Sequence, residues 1–551
     1  MTFYKTYAEW GDPTSPICIL AEAPGGTEIR IGEPLIGPSG QIFEECLHHA
    51  GLVRRQCYIL NTWPIRVSKD QHGRIFDPRN NTMLHNGKSF TSEGLELAEP
   101  TVKKLRACGA NVVVALGAIA SELLGETRSI TKMRGSILFS EVIGKKFIPT
   151  FHPAFILRGN FLSKYPTIND FIRVKQEMAY RDLRLPERSL ITAPTFSEAQ
   201  EYLRDIIAGN HPRIAEDIEV TRGDISCLAI ATSPKFSMSI AFIDEDGRPF
   251  FPLDQEAELW RLIGEINANP AISKIGQNFI FDMAFMWTKK AVWTRGRILD
   301  TMVAHHIIYP DFPKGLDFLC SMHTREPYYK DEGKIWKHPF RDMESFWRYN
   351  CKDSAITFEV WNAIEPELHE KGHWRTYERT VRIYEPLLYM MRRGLKVNMA
   401  DLALTKESVR GEIEKKTTEL KNVADYEFNP RSSKQVMEYF YIHKGIKPYV
   451  SRTSGKPTSD DKAMARIVRR YNFPEARLVQ EIRRLNKLDG TYLEIQFDPD
   501  NRLRTSYNPR GTKYGRLSSS ETIFGTGTNM QNLHPGFKGF LISDRERKSN
   551  G

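Results

Sequence analysis

Short apolar runs and amphipathic stretches alternate along the first third of the chain. Ile17 to Leu20, Val112 to Leu116 and Phe147 to Thr150 read as strands, and Gln41 to Ala50 and Ala118 to Leu124 as helices, which makes this section α/β. A polar, proline-containing link, Leu185-Pro-Glu-Arg-Ser-Leu-Ile-Thr-Ala-Pro194, separates it from a second α/β section that runs to about residue 370. Helical periodicity then dominates to about residue 495, and Asp498 to Gly551 reads as strand and loop. The pattern predicts a multidomain α/β protein with domains at 1–185, 190–370 and 375–551, the last mainly helical. A chain of 551 residues suffices for about three or four domains of ordinary size.

Composition narrows the partners. No run of about 18 apolar residues could cross a bilayer, and Met1-Thr-Phe-Tyr-Lys-Thr-Tyr lacks the charged start and apolar core of a signal peptide. No membrane partner is therefore expected, and the cytoplasm is the expected location. The seven cysteines (18, 46, 57, 108, 227, 320, 351) are scattered and never spaced C-x-x-C, which suggests neither disulfides nor a zinc site. A net charge of +10 favours a polyanionic partner. The excess gathers late, in Arg375 to Arg393, Arg466 to Lys487 and Arg502 to Arg516, where Arg and Lys interleave with Tyr and Leu and could neutralise phosphates.

The second section carries the best-defined chemistry. In Asp217-Ile-Glu219 the two acids are two residues apart, so a strand puts both carboxylates on one face, where they repel unless a cation lies between them. Asn278-Phe-Ile-Phe-Asp282 supplies a third acid, and Tyr349-Asn-Cys-Lys-Asp353 a fourth, with Tyr349 and Asp353 on neighbouring turns of one helical face. Hard oxygen ligands of this kind suit Mg²⁺ or Mn²⁺. The order D-x-E, N-x-x-F-D, Y-x-x-x-D resembles the three exonuclease motifs of the proofreading domains of family A DNA polymerases, the DEDD superfamily with tyrosine in its third motif. Asp300-Thr-Met302 and Gly315-Leu-Asp-Phe-Leu319 are similar to that family's intervening segments. The resemblance implies a ribonuclease H-like 3′→5′ exonuclease with two metal ions on Asp217, Glu219, Asp282 and Asp353, and with Tyr349 orienting the attacking water.

The first section holds a Gly/Pro-rich loop, Ala21-Glu-Ala-Pro-Gly25 and Gly32-Glu-Pro-Leu-Ile-Gly-Pro-Ser-Gly40, between a strand and a helix. Such glycines let backbone N–H groups approach a phosphate or base. With Asn61 after the strand Cys57 to Leu60, Ala115-Leu-Gly-Ala-Ile-Ala-Ser-Glu-Leu-Leu-Gly125 and Phe151-His-Pro-Ala-Phe-Ile-Leu-Arg158, it resembles the family 4 uracil-DNA glycosylases. That resemblance implies an α/β domain with a base pocket at Glu22, Leu35, Asn61 and His152, in which asparagine reads a flipped uracil and histidine stabilises the departing base. Two departures stand out. Leu35 occupies the place of a stacking Phe, and the four cysteines of the family's iron-sulfur cluster have no counterparts, Ile65 standing where one would be. No iron-sulfur cluster is expected, and a noncatalytic DNA-binding or subunit-docking role is favoured over uracil excision.

The last section resembles the start of a family A polymerase domain. Tyr384 to Val397 reads as an amphipathic helix capped by Gly394 and followed by a short strand. Phe428-Asn-Pro-Arg-Ser-Ser-Lys-Gln435 and Arg484-Leu-Asn-Lys-Leu-Asp-Gly-Thr-Tyr492 are similar to the thumb, and Thr512-Lys-Tyr-Gly-Arg-Leu-Ser-Ser519 and Asn529-Met-Gln-Asn-Leu533 to the segments that grip primer-template. By resemblance Arg516, Ser518, Ser519, Gln531 and Asn532 contact the duplex. No D-x-S-Q-x-E stretch follows them, and the tail Arg545-Glu-Arg-Lys-Ser-Asn-Gly551 no longer matches. The combination is like that of the polymerases of large lytic bacteriophages, and the expectation is an exonuclease-bearing portion, cut before the palm carboxylates and unable to polymerise alone. Expected partners are single-stranded and primer-template DNA. A second chain carrying palm and fingers stays open, as do a noncatalytic DNA-binding subunit and an active uracil-DNA glycosylase.

Overall fold

The computed structural model of the chain describes residues 9–76, 89–125, 129–331 and 342–544; the hydrophilic tail from Arg545 lies outside them. The chain forms two compact units, one ending at Arg382 and the other beginning at Ile383. Among the described residues no helix is long and apolar enough to cross a membrane.

The first unit holds two sheets. In the first, β1 (Ile17–Ala21), β2 (Cys57–Asn61), β3 (Val112–Leu116), β4 (Leu138–Ser140) and β5 (Lys145–Thr150) lie in the order β2-β1-β3-β5-β4. All pairs are parallel except β4 with β5. β1, β2 and β3 are buried along their whole length, as continuous apolar runs require when helices cover both faces. The predicted strands fall where the apolar runs placed them. The helix expected from Gln41 begins earlier, at Pro38, because proline at the first turn gives up an N–H that has no intrahelical partner.

The second sheet has the order β11-β10-β7-β8-β9-β6. β7 (Arg213–Thr221), β8 (Asp224–Ser233) and β9 (Phe236–Ala241) form an antiparallel meander, and β10 (Ser273–Gly276) and β11 (Ile298–Asp300) continue it in parallel. This is the ribonuclease H-like arrangement. The link between the sections is not all link: Ser189–Thr192 forms β6, an edge strand parallel to β9. Its two apolar residues are only half-buried, so a short edge strand reads as polar linker in sequence. Helix Met343–Glu370 packs across β7, β8 and β9. Its buried polar residues find partners there: Ser239 Oγ donates to Asn350 Oδ1 at 2.8 Å, and Ser237 and Ser354 share a hydrogen bond of 2.7 Å.

The second unit is mainly helical, with helices Met399–Val423, Asp461–Tyr471 and Pro474–Lys487 packed together. Helix Tyr384–Arg393 ends at Gly394, as its sequence predicts, and β12 (Leu395–Val397) follows. Gly394 has φ +61°, and a Cβ there would stand 2.9 Å from the Leu503 carbonyl oxygen, so glycine serves both the turn and the close approach. β12 lies between β13 (Arg502–Leu503) and β16 (Leu541–Ile542); β14 (Ser506–Asn508) and β15 (Ser518–Ser520) form a separate ribbon.

Candidate functional site

Strand β7 carries Asp217 and Glu219 on one face, and helix Met343–Glu370 crosses it with Asp353 and, one turn earlier, Tyr349. Asp217, Glu219 and Asp353 each bring a carboxylate oxygen within 4.8 Å of the others. Asn350 fixes the first acid, its Nδ2 donating to the Asp217 carbonyl at 3.0 Å and to Asp217 Oδ2 at 2.8 Å. Asp282 comes from the first turn of helix Ile280–Lys290, and its Oδ1 accepts from the Ile218 N–H at 3.1 Å. It adjoins the strand between the two acids without belonging to the three-carboxylate cluster.

Two residues outside the sequence motifs enter this centre. Lys330 Nζ donates to Tyr349 Oη at 2.8 Å and pairs with Asp353 Oδ2, while Tyr329 Oη donates to Asp353 Oδ1. Neither position was marked by any spacing pattern; Asn350, inside the third motif, could have been read from it.

The electrostatics are those of crowded acids. Burial first and the neighbouring Asp353 second push the Asp217 carboxyl up to about 8. Burial, then Asp217, lifts Glu219 and Asp282 well above the carboxylate range. Burial and the Asp353 charge also raise Tyr349, which keeps its phenol protonated. Lys330 brings one positive charge to a group of acids whose ionisation needs more, and the donors are all hard oxygens. The residues present therefore fit a divalent cation.

The glycosylase-like residues gather at the carboxyl ends of the first sheet's strands, where open α/β sheets place ligands. Glu22 follows β1, with Oε1 3.6 Å from His72 Nε2; Asn61 closes β2, and its carbonyl accepts from Thr101 Oγ1 at 2.9 Å. His152 follows β5, and its Nδ1 accepts from the Ala154 N–H at 3.1 Å, which leaves Nε2 to carry the ring proton. Burial, then Arg158, pushes this imidazole down to about 4. Leu35, at φ +52°, is 5% exposed and belongs to the same core cluster as Phe43 and Leu47. It is packed as a core side chain.

In the second unit Asn529 joins the two motif strings. Ser519 Oγ donates to Asn529 Oδ1 at 2.9 Å, and the Gln531 N–H donates to the same oxygen at 3.0 Å. Gln531 Nε2 reaches the Leu517 carbonyl at 2.8 Å. Arg516, Gln531 and Asn532 are exposed and Ser518 is half-buried, whereas Ser519 is buried and its hydroxyl braces the loop. The Arg516 N–H is tied to Thr512 Oγ1 at 2.9 Å, its side chain lying in the open.

Three family descriptions match the chain: Uracil DNA glycosylase superfamily over residues 8–174, 3'-5' exonuclease over 195–369, and DNA polymerase family A over 399–542. A type-4 uracil-DNA glycosylase of Thermotoga maritima is 32% identical over 155 residues, 27% of this chain and 70% of that protein. The DNA polymerase of Bacillus phage SP01 is 21% identical over 507 residues, 75% of this chain and 53% of that one. That of Escherichia phage T5 is 26% identical over 279 residues, 43% and 30% of the two chains. The chain thus spans about half the length of the SP01 polymerase. It carries a uracil-DNA glycosylase superfamily region related to the type-4 enzymes, followed by a region matching 3'-5' exonucleases and one matching DNA polymerase family A.

Proposed function

We propose that the chain removes nucleotides from DNA 3′ ends, with a preference for single strands, as a proofreading exonuclease that uses Mg²⁺ or Mn²⁺. The observation that carries this reading is the meeting of Asp217, Glu219 and Asp353 within 4.8 Å beside Tyr349. Asp217, Glu219, Asp282 and Asp353 would hold two ions. Bound divalent cations supply Lewis-acid activation of water and charge stabilisation at the scissile phosphate. The chain's own residues prepare the centre: Asn350 locks the Asp217 carboxylate, and the Ile218 N–H holds Asp282. Tyr349 stays protonated and offers its hydroxyl to orient a water. The domains at 1–185, 190–370 and 375–551 divide the work into DNA binding without uracil excision, hydrolysis, and a grip on primer-template through Arg516, Ser518, Gln531 and Asn532, with Ser519 bracing that loop. Primer extension is not assigned to these 551 residues, which hold no D-x-S-Q-x-E stretch.

Asp217→Ala combined with Glu219→Ala should abolish release of nucleotides from a 5′-labelled strand in Mg²⁺ and leave DNA binding, measured by fluorescence anisotropy, largely intact. A double variant that degrades primers as fast as the parent would falsify the assignment.

A further inference from the structure

The strap from Ser321 to Asp331 belongs by sequence to the exonuclease section, yet a series of polar bonds ties it to residues 132–184 of the glycosylase-like section. Arg173, buried, donates from Nη2 to the carbonyls of Ser321 at 3.0 Å and Thr324 at 2.6 Å. Arg134, buried and paired with Asp170, donates from Nη1 to Ser321 Oγ at 2.8 Å. Arg325 Nη2 donates to Tyr180 Oη at 2.8 Å and to the Arg184 carbonyl at 3.2 Å, and pairs with Glu177. Glu177 in turn holds the buried Lys146 at 2.7 Å. Farther along, the Tyr328 N–H donates to Ser136 Oγ at 3.0 Å, and Lys132 Nζ lies 3.2 Å from Asp331 Oδ1. Between those last two anchors the strap presents Tyr329 and Lys330 to the acid centre.

We infer that Lys330 is a positioning residue of the exonuclease centre, tying Tyr349 to Asp353, and that the glycosylase-like section is the scaffold that holds it there. The inference rests on the exonuclease reading of the acid cluster. Tyr349 and Asp353 are four residues apart on one helix, and the ammonium bridges them from a different element, at sequence separations of 19 and 23. Burying an ammonium is costly unless it is paired, so its place among acids is specified rather than incidental. By donating to Tyr349 Oη, Lys330 takes up one acceptor site on that oxygen and so turns the phenolic proton away from Nζ. By pairing with Asp353 Oδ2, it also competes with a divalent cation for the same carboxylate.

Those two effects have opposite signs, which separates positioning from mere support. Removing the ammonium should ease metal entry and at the same time free Tyr349. A lysine that only kept the strap folded would, when lost, weaken both metal binding and hydrolysis. The same logic gives the glycosylase-like section a task that needs no uracil chemistry: its arginines fix the strap, and the strap fixes Lys330.

The test uses the full chain. Lys330→Met keeps the side-chain volume and removes the charge. Mn²⁺ binding without DNA, followed by electron paramagnetic resonance, should tighten about tenfold, while the hydrolysis rate of a single strand at saturating Mn²⁺ should fall about 10- to 100-fold. Lys330→Gln, which keeps a donor for Tyr349, should show the tighter Mn²⁺ binding with a smaller loss of rate. Arg325→Ala loosens the strap from the outside; it should move both readouts in the same directions and add nothing in the Lys330→Met background. Weaker Mn²⁺ binding in both Lys330 variants overturns the positioning role, and an Arg325→Ala effect that adds in full overturns the scaffold. If the parent binds Mn²⁺ but hydrolyses no DNA, the exonuclease reading fails, while the direction of the Mn²⁺ shift still decides whether Lys330 competes at Asp353.

Discussion

Replacing Asp217 with asparagine should make the metal-free protein more stable while removing its response to divalent cations. Asp217, Glu219 and Asp353 hold carboxylate oxygens within 4.8 Å of one another. At an effective dielectric of about 20, two unit charges at that separation repel by roughly 3.5 kcal/mol. Ionised Asp217 faces two such neighbours and has the Lys330 ammonium to set against them. Neutralising it removes two repulsions and one attraction of similar size, a net Coulomb term of roughly 3.5 kcal/mol at that dielectric, of which screening by water in the cleft leaves about 1–3 kcal/mol. The new amide oxygen can still accept from Asn350 Nδ2, so the local bond survives. Burial first and Asp353 second raise the Asp217 carboxyl from 3.8 to about 8. An acid whose pKa rises on folding loses stability as pH climbs from the unfolded value to the folded one, so the advantage of Asp217→Asn should widen across that interval and level off above it. Urea denaturation in chelator at a pH above the folded value, followed through the buried Trp361, reads the difference. With Mg²⁺ at 100 times its dissociation constant the parent should gain about 2.7 kcal/mol and the variant little. A variant less stable than the parent in chelator, or one that Mg²⁺ stabilises equally, would refute the electrostatic account.

His305 is fully buried between Tyr309, Phe318 and His323, and burial, then His323, pushes it down to about 3. Its unfolded ring titrates near 6.5, so the folded state binds fewer protons and the contribution of His305 itself falls by about 2 kcal/mol as pH drops from 8 to 5, against the opposite trend from the raised acids; the parent should lose about 2 kcal/mol more stability over that interval than His305→Leu, and an identical pH dependence in the two rejects the assignment. Uracil release from single-stranded DNA should be slow or absent, because Leu35 is committed to the core and offers no aromatic face; rapid release that depends on His152 would overturn this.

The acids that meet on β7 and helix Met343–Glu370 were legible because their geometry is local. A strand's period of two fixes Asp217 beside Glu219, and a helical turn fixes Tyr349 beside Asp353. Wherever the decisive contact is made by another element, the sequence falls silent. Lys330 reaches Asp353 only because a strap clamped by Arg134 and Arg173 turns it inward, and no pattern within the strap announces that. Ser519 lies in a legible motif, yet its burial against Asn529 depends on a loop ten residues away. Leu35 shows the same limit from the other side. The substitution was visible in sequence as a lost aromatic, but its membership of the core beneath the loop, at a left-handed φ, belongs to packing alone.

This division bears on what a glycosylase-like fold contributes to the exonuclease-like section beside it. Buried ion pairs add little stability over apolar packing of the same volume, and breaking one costs about 3–5 kcal/mol, so they act mainly to fix a single arrangement. Arg134 with Asp170 and Lys146 with Glu177 are buried pairs of this kind, and Arg134 and Glu177 each also bond the exonuclease section, through Ser321 and Arg325. Both pairs lie within the first section and hold its own fold, and their second bonds, with those of Arg173, carry that hold on to the strap; on the inference above, loss of uracil chemistry in the first section would leave these residues with a task at the acid centre.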